Sequence, residues 1–246
     1  MVTAAPKDQW RLLDVAEHDA KLAQLAHRSR TLPEHADLER VAGRLSRLAD
    51  DLVVARTRAT DASRDLTRAE GDVEVVRQRA LRDRARLDAG QGAPKELQAL
   101  QHEIESLAQR QSVLEDAELE VMERLEGAQA AVATLDAERE RLEAERAEIT
   151  ARRDAALAAV DDEVAAVGRA RADAVAGLPA DLIALYEKIR ASSGTGAARL
   201  RGRRCEGCRI ELTAVELGRL RGAAEDAVLR CEECDRILVR TPDSGL

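Results

Sequence analysis

Apolar residues recur along much of this chain in alternating steps of three and four. That spacing predicts long helices packed along a seam. From Leu38 one seam position is filled by Leu38, Leu45, Leu52, Ala59, Leu66, Val73, Ala80 and Leu87. The other carries Val41, Leu48, Ala55, Ala62, Ala69 and Val76, with Asp83 as the exception. Gly90-Gln91-Gly92-Ala93-Pro94 then stops the pattern. Glycine suits a helix end, and proline disfavours helix in the residue before it. A second heptad opens at Lys95-Glu96-Leu97 and continues through Leu100, Leu107, Leu114, Val121, Leu135, Leu142 and Ile149. After Thr150 the stripe turns Ala/Val-rich and ends at Gly177. Upstream, Asp8 to Arg30 also reads as helix, with Leu12, Val15, Leu22 and Leu25 on its apolar side. Pro33 marks a kink or a break and restart near residues 31–34.

The register indicates how the two arms meet. Folding back at Ala93/Pro94 sets Leu87 against Leu100, Leu52 against Leu135, Leu45 against Leu142 and Leu38 against Ile149. The residue numbers in every layer share one sum, and nearly every layer is apolar. An antiparallel intramolecular hairpin is therefore expected, with arms about 120 Å long at 1.5 Å per residue. The second seam is poorer, because Leu48 faces Arg139 and Val41 faces Arg146. Arginine stems can lie along a seam and keep their heads in water. The same axis brings Trp10 near Gly177.

Beyond Leu178-Pro179 a shorter helix is expected, with Leu182, Leu185, Tyr186 and Ile189 on one stripe. On that stripe Tyr186 reads as packing. Ser192-Ser193-Gly194-Thr195-Gly196 is a linker. Thr213-Ala214-Val215-Glu216 has the form of a capping box and starts a helix to about Leu220. Ala197–Arg204 leads into the first cysteine turn, and Ala227–Arg230 and Ile237–Arg240 read as short strands.

Among these segments lie the only four cysteines, Cys205-Glu206-Gly207-Cys208 and Cys231-Glu232-Glu233-Cys234. Two Cys-x-x-Cys pairs at this separation match four-cysteine zinc sites. Two such turns make a tetrahedral thiolate cage that suits Zn²⁺ and leaves no open position for water or substrate. One structural zinc per chain is expected, held by Cys205, Cys208, Cys231 and Cys234. Iron in a rubredoxin-like cage, a disulfide pair and a redox dithiol are the competing readings. Disulfides need an oxidising compartment, and Met1–Lys7 has no apolar segment for export. A redox dithiol would follow a strand in a βαβ pattern, which is not visible.

Composition agrees with long helices. The chain of 246 residues is 35% charged and 1% aromatic, with one Trp, one Tyr and no Phe. Ala, Glu, Arg and Leu dominate, as in coiled coils. No apolar run approaches the ~18 residues of a membrane span, so a cytoplasmic protein is expected. The net charge of −8 opposes nonspecific nucleic-acid binding by the whole surface. His18, His27, His35 and His102 sit on the helical arms and read as solvated. No catalytic triad, phosphate-cradling loop or Cys–His pair stands out, so the chain reads as a non-enzyme without a small-molecule substrate.

Arg199, Arg201, Arg203 and Arg204 crowd the approach to the first cysteine turn, with Arg209 just after. On one strand, Arg199, Arg201 and Arg203 would share a face and suit phosphates. Charge balance against Glu206, Glu211, Glu232 and Glu233 is the competing reading. The ribbon contains no aromatic residue, so no stacking platform for bases is expected. Nucleic-acid contacts there would be directed at the backbone, salt-sensitive and poorly sequence-specific.

Several stretches carry a resemblance. They are Pro94-Lys95-Glu96-Leu97, Leu185-Tyr186-Glu187-Lys188-Ile189-Arg190 before a glycine linker, Cys205-x-x-Cys208, and Cys231-x-x-Cys234-Asp235-Arg236-Ile237-Leu238. In this order they resemble the bacterial C4-type zinc ribbon proteins. The resemblance implies a long N-terminal coiled-coil hairpin carrying a C-terminal ribbon. It also implies a nucleic-acid-associated protein or an adaptor for regulatory proteins, without catalysis. That family usually has Gly after the last cysteine. Here Asp235 must take a left-handed conformation, which Asp tolerates.

The expected fold is thus mainly α, a long antiparallel coiled-coil hairpin with a small four-cysteine zinc ribbon of short strands and a short helix. Residues 1–177 form the hairpin, with its turn near 90–94. Residues 178–196 are a short helix and linker, and 197–246 the ribbon. The functional expectation is a zinc-binding adaptor that meets nucleic acid through the ribbon and a regulatory protein through the coiled coil. The alternative is a protein-only scaffold or chaperone-like adaptor with a purely structural ribbon.

Overall fold

The computed structural model describes residues 2–90 and 92–246; Met1, and Gln91 within the expected turn, lie outside the described residues. Three long helices come first: α1 (Pro6–Arg30), α2 (Pro33–Asp88) and α3 (Pro94–Val175). The chain forms two compact units. One is Ala36–Thr150, and the other joins the residues up to His35 with Ala151–Leu246.

In the unit Ala36–Thr150, α2 packs on the first part of α3. Leu52, Leu142 and Ile149 share one buried cluster, with Leu38, Leu45 and Leu135 partly buried against it, as the common register requires. Val41 and Leu48, from the poorer seam, are buried with them. Arg139 lies half-buried along that seam, its head paired with Asp136 at 3.3 Å. Cross-helix ion pairs flank the apolar layers. Arg44–Glu138 (2.9 Å) and Arg79–Glu103 (2.6 Å) join the two g positions of their layers. Arg56–Asp136 (2.9 Å) and Arg77–Glu115 (3.4 Å) join the two e positions. Water screens such exposed pairs, so each stabilises little. Their placement still favours one register, because a slip would separate them.

The second unit is built around a buried charge. Here α1 meets the end of α3, and Arg11 Nη2 donates to the carbonyls of Ala174 (3.0 Å) and Ala176 (2.6 Å). The helix α4 (Ala180–Ser193) completes the group. Leu12 and Val15 of α1 pack with Leu182, Tyr186 and Ile189 of α4. At the edge of this core Asp19 is 4% exposed. It accepts from Tyr186 Oη at 2.6 Å and from Arg171 Nε at 2.6 Å. Arg171 also donates to Glu187 at 2.5 Å, and Arg190 Nε donates to Glu187 at 2.7 Å. A buried carboxylate is tolerated only when paired and hydrogen-bonded. Burial opposes the charge of Glu187, yet the two guanidiniums hold its carboxyl below the usual range. The Tyr186 ring leans on Gly196, where an added Cβ would come within 2.6 Å of ring carbons, so only glycine allows this approach.

The ribbon follows: β1 (Ala197–Arg201), β2 (Arg204–Cys205), α5 (Ala214–Gly222), β3 (Leu229–Arg230) and β4 (Ile237–Val239). The sheet order is β2-β1-β4-β3, with β1 and β4 parallel and the other pairs antiparallel. Strand β4 is buried along its whole length, which explains its continuous apolar run Ile237–Val239, whereas β1 alternates to exposed Arg199 and Arg201. Ala197, Ile237 and Val239 face the α1–α4 core. Ala198, Leu200 and Leu238 face α5 and the cysteines. Both parts of the capping box form, since Thr213 Oγ1 accepts from Glu216 N–H and the Glu216 carboxylate accepts from Thr213 N–H. Residues before α1 extend the ribbon: Thr3 bridges Ala227, and Ala4 N–H donates to Asp226 at 2.8 Å. Among the described residues no helix is long and apolar enough to cross a membrane.

Two measurements check this arrangement. Cysteines placed at Leu52 and Leu135 should crosslink within one chain while metal protects the native thiols; crosslinks only between chains would contradict the hairpin. The only tyrosine, Tyr186, has its phenol pushed above its ordinary value by burial and by the Asp19 carboxylate. Its folded pKa exceeds the unfolded value, so the associated stability is full below pH ~10 and declines as pH rises above that. Tyrosinate absorbance should therefore lag well behind that of free tyrosine, and it should appear together with loss of the α4 packing.

Candidate metal centre and basic edge

The two cysteine turns have the same backbone construction. Arg209 N–H donates to Cys205 O (2.7 Å), and Asp235 N–H donates to Cys231 O (3.0 Å). Each turn then closes back on itself: Cys205 N–H donates to Ile210 O (3.1 Å), and Cys231 N–H to Arg236 O (2.9 Å). The residue after each pair is left-handed, Arg209 at φ 61 and Asp235 at φ 63. The conformation expected of Asp235 is thus present, and Arg209 adopts it too.

The turns bring all four sulfurs together. Cys205 Sγ and Cys234 Sγ are 3.8 Å apart, and Cys208 Sγ and Cys231 Sγ 3.9 Å. All four lie within 4.8 Å of one another. A tetrahedron with Zn–S bonds of about 2.3 Å has an edge of about 3.8 Å. The donor set and its spacing therefore fit Zn²⁺, and no ligand position is left for substrate. Among the described residues this is the only group of three or more metal-binding side chains close enough to share an ion. The four histidines lie elsewhere, on α1, α2 and α3.

Burial pushes the Cys205 and Cys231 thiols up, and the nearby sulfurs add to this. Burial opposes the Cys234 thiolate as well, but the N–H and side chain of Arg236 bring it below the ordinary thiol value. Arg236 is thus a part of the site that the spacing of cysteines does not disclose. Its Nε donates to Thr195 Oγ1 (3.0 Å) and its Nη2 to Ser193 O (2.5 Å), which ties the cage to the end of α4. Gly207 makes room for it. A Cβ there would come within 2.8 Å of Arg236 Cδ and 2.9 Å of Ala198 Cβ.

The arginines differ from a single strand face. The strand on which Arg199, Arg201 and Arg203 would share a face ends at Arg201, and Gly202 and Arg203 turn the chain with φ of 50 and 69. Arg199 and Arg201 share the exposed side of β1, alternating with buried Leu200. Arg203 sits in the left-handed turn, and Arg204 pairs with Arg201 across β1 and β2. All four are exposed. Arg201 is 3.7 Å from Glu206. The backbones of Arg204 and Glu211 form an antiparallel β-bridge, and with Arg201 and Glu206 they border a depression of about 330 Å³. Among the described residues Arg199, Arg203 and Arg204 make no ion pair.

The metal reading has a direct check. Purified protein should contain one zinc per chain by elemental analysis, and Cys208→Ser should lose it. Metal supplies much of the folding free energy of so small a sheet. Chelation should remove amide protection from α5, β2 and β3, while amides of Ala36–Thr150 stay protected and most of the far-UV helix signal persists. Collapse of that signal would show that the coiled coil depends on the metal.

Residues 15–194 match the CT398-like coiled coil hairpin domain, and residues 204–238 match the C4-type zinc ribbon domain. An uncharacterized protein of Mycobacterium tuberculosis is 41% identical over 244 residues, covering 96% of this chain and 97% of the relative. A solved structure from Mycobacterium smegmatis is 36% identical, with a TM-score of 0.86 over 97% of this chain and all of that one (100%). The structure of CT398 from Chlamydia trachomatis shares the fold, with a TM-score of 0.66 at 16% identity over 96% of this chain and 98% of that one. The long hairpin and the four-cysteine ribbon therefore place this chain in the family of CT398-like coiled-coil hairpin proteins with a C4-type zinc ribbon.

Proposed function

We propose that the protein is a non-enzymatic cytoplasmic adaptor, with a zinc-held ribbon that meets nucleic-acid phosphates and a coiled-coil arm that docks a regulatory protein. The supporting observation is the concentration of Arg199, Arg201, Arg203 and Arg204 on β1, its turn and β2, with three of the four guanidiniums free of ion pairs among the described residues. From residue 197 onward ten arginines stand against nine acids, and a zinc–tetrathiolate centre would add a charge of −2. The positive character therefore belongs to the arginine edge itself and not to the ribbon as a whole. The reducing cytoplasm keeps the thiolates available for metal.

A second reading, a protein-only scaffold, is favoured by apolar side chains left exposed on the hairpin: Val53, Val54, Val75, Leu81, Val113 and Leu119. Scattered exposed apolar residues are ordinary on protein surfaces, so they weigh less than the clustered charge.

Changing Arg201, Arg203 and Arg204 together to Glu should abolish nucleic-acid binding without releasing zinc, since none is a ligand. Wild-type affinity should fall steeply between 50 and 200 mM salt, by roughly tenfold or more for each few phosphates neutralised. Filter binding and metal analysis on the same samples check both statements. Absence of wild-type binding to DNA and RNA at low salt would leave the scaffold reading in its place.

A further inference from the structure

The ribbon has no aromatic residue of its own, but the fold supplies one. Trp10, from α1, donates its indole N–H to the carbonyl of Arg240 at 2.6 Å and so lies against the ribbon. It remains 46% exposed. We propose that Trp10 is a stacking platform for single-stranded nucleic acid, with Arg199 and Lys7 meeting the phosphates on either side of the stacked base. The proposal rests on the nucleic-acid reading above and adds a preference for unpaired strands.

Three observations support it. First, the ring is held in place before any ligand arrives. The Arg240 guanidinium donates to the carbonyls of Ala224 (2.6 Å), Glu225 (2.9 Å) and Ala227 (3.2 Å), which anchors the residue whose carbonyl holds the indole. A ring already ordered loses little entropy on stacking. The hydrogen bond occupies its polar edge and leaves the π system for contact.

Second, Trp10 borders two clefts. One, of about 430 Å³, is also lined by Lys7, Arg11, Asp14, Arg199 and Asp243. The other, of about 780 Å³, is lined by Pro6, Leu220 and Pro242 among others. Both are of ligand-binding size. An isolated exposed aromatic would be unremarkable; one bordered by two clefts is not isolated.

Third, the charges suit a nucleotide. Lys7 and Arg199 make no ion pair among the described residues. Arg11 is committed to the carbonyls at the end of α3. Asp14 and Asp243 repel phosphate, but they can accept hydrogen bonds from base amino groups. Arg199 shares the exposed side of β1 with Arg201, so a backbone leaving the Trp10 cleft continues onto the basic edge. Bases within a duplex are stacked on each other and cannot reach a protein ring, whereas an unpaired base can.

Trp10 is the only tryptophan, so its fluorescence reports the site directly. Zinc-loaded full-length protein would be titrated at low salt with oligo-dT and oligo-rU of about 12 nucleotides, and with a duplex of equal length. Both single strands should quench the emission and bind more tightly than the duplex, which should quench little. Quenching by RNA alone would support the site and add a 2′-hydroxyl contact to it. Trp10→Ala should weaken single-strand binding by about tenfold, Trp10→Phe by less, and Lys7→Glu by several-fold. Should Trp10→Ala fail to fold by circular dichroism, Trp10→Phe and Lys7→Glu decide the matter. Equal binding of single strand and duplex, with both of those variants at wild-type affinity, overturns this proposal and leaves the phosphate-binding reading standing. No binding of any of the three ligands overturns both.

Discussion

A charged carboxylate removed from water must be matched by partners, and in this protein one such group coordinates three helices. Asp19 belongs to α1, Arg171 to α3 and Tyr186 to α4, and their hydrogen bonds converge on its two oxygens. Deleting one partner leaves a buried charge unmet, a change that costs several kcal/mol in comparable sites. The helices are thereby fixed in relation to one another more narrowly than apolar packing alone would fix them. The order passes outward through α4. The Tyr186 ring rests on Gly196, at the start of β1, and the end of α4 receives the Arg236 side chain that adjoins the cage.

The ribbon is consequently something other than a free knob on a tether. Its central strands belong to two cores at once, one with α1 and α4 and one with α5 and the cysteines. The second core contains the four-cysteine cluster that would hold a metal, while helix packing organises the first. Arg236 adds a positive charge beside a thiolate cage whose four sulfurs would give a zinc complex a net charge of −2.

Much of this was legible in the sequence because the signals are local or periodic. The seam, the turn and the cysteine turns repeat at fixed intervals, and any stretch of chain displays them. The left-handed Asp235 was expected only from the resemblance, because the family usually has Gly at that position. The e and g ion pairs were equally readable from the heptads, since they fall at fixed offsets from the seam. Asp19 was not, because it is one of 47 acids in the chain and nothing near it in sequence marks it as buried. Its partners lie 152 and 167 positions away. Trp10 reaches a carbonyl 230 positions on, so the absence of aromatics within the ribbon sequence understated what the ribbon region contains. Arg203 left the expected strand face because β1 ends at Arg201 and Gly202 and Arg203 turn the chain in left-handed conformations.

The pairing of Thr3 with Ala227 also has a meaning in time. At about 5–20 residues per second, roughly 10–45 seconds of translation separate the two residues. Through most of that interval Leu12 and Val15 of α1 have no finished surface to cover them, since their neighbours in the core are made late. The hairpin can close as α3 emerges, but Leu12 and Val15 of the first helix stay uncovered until α4 follows, and the Thr3 bridge waits for Ala227. The nascent chain therefore passes through a stage with a completed coiled coil and an uncovered amphipathic α1, the stage at which a holdase or an encounter with another nascent copy would act.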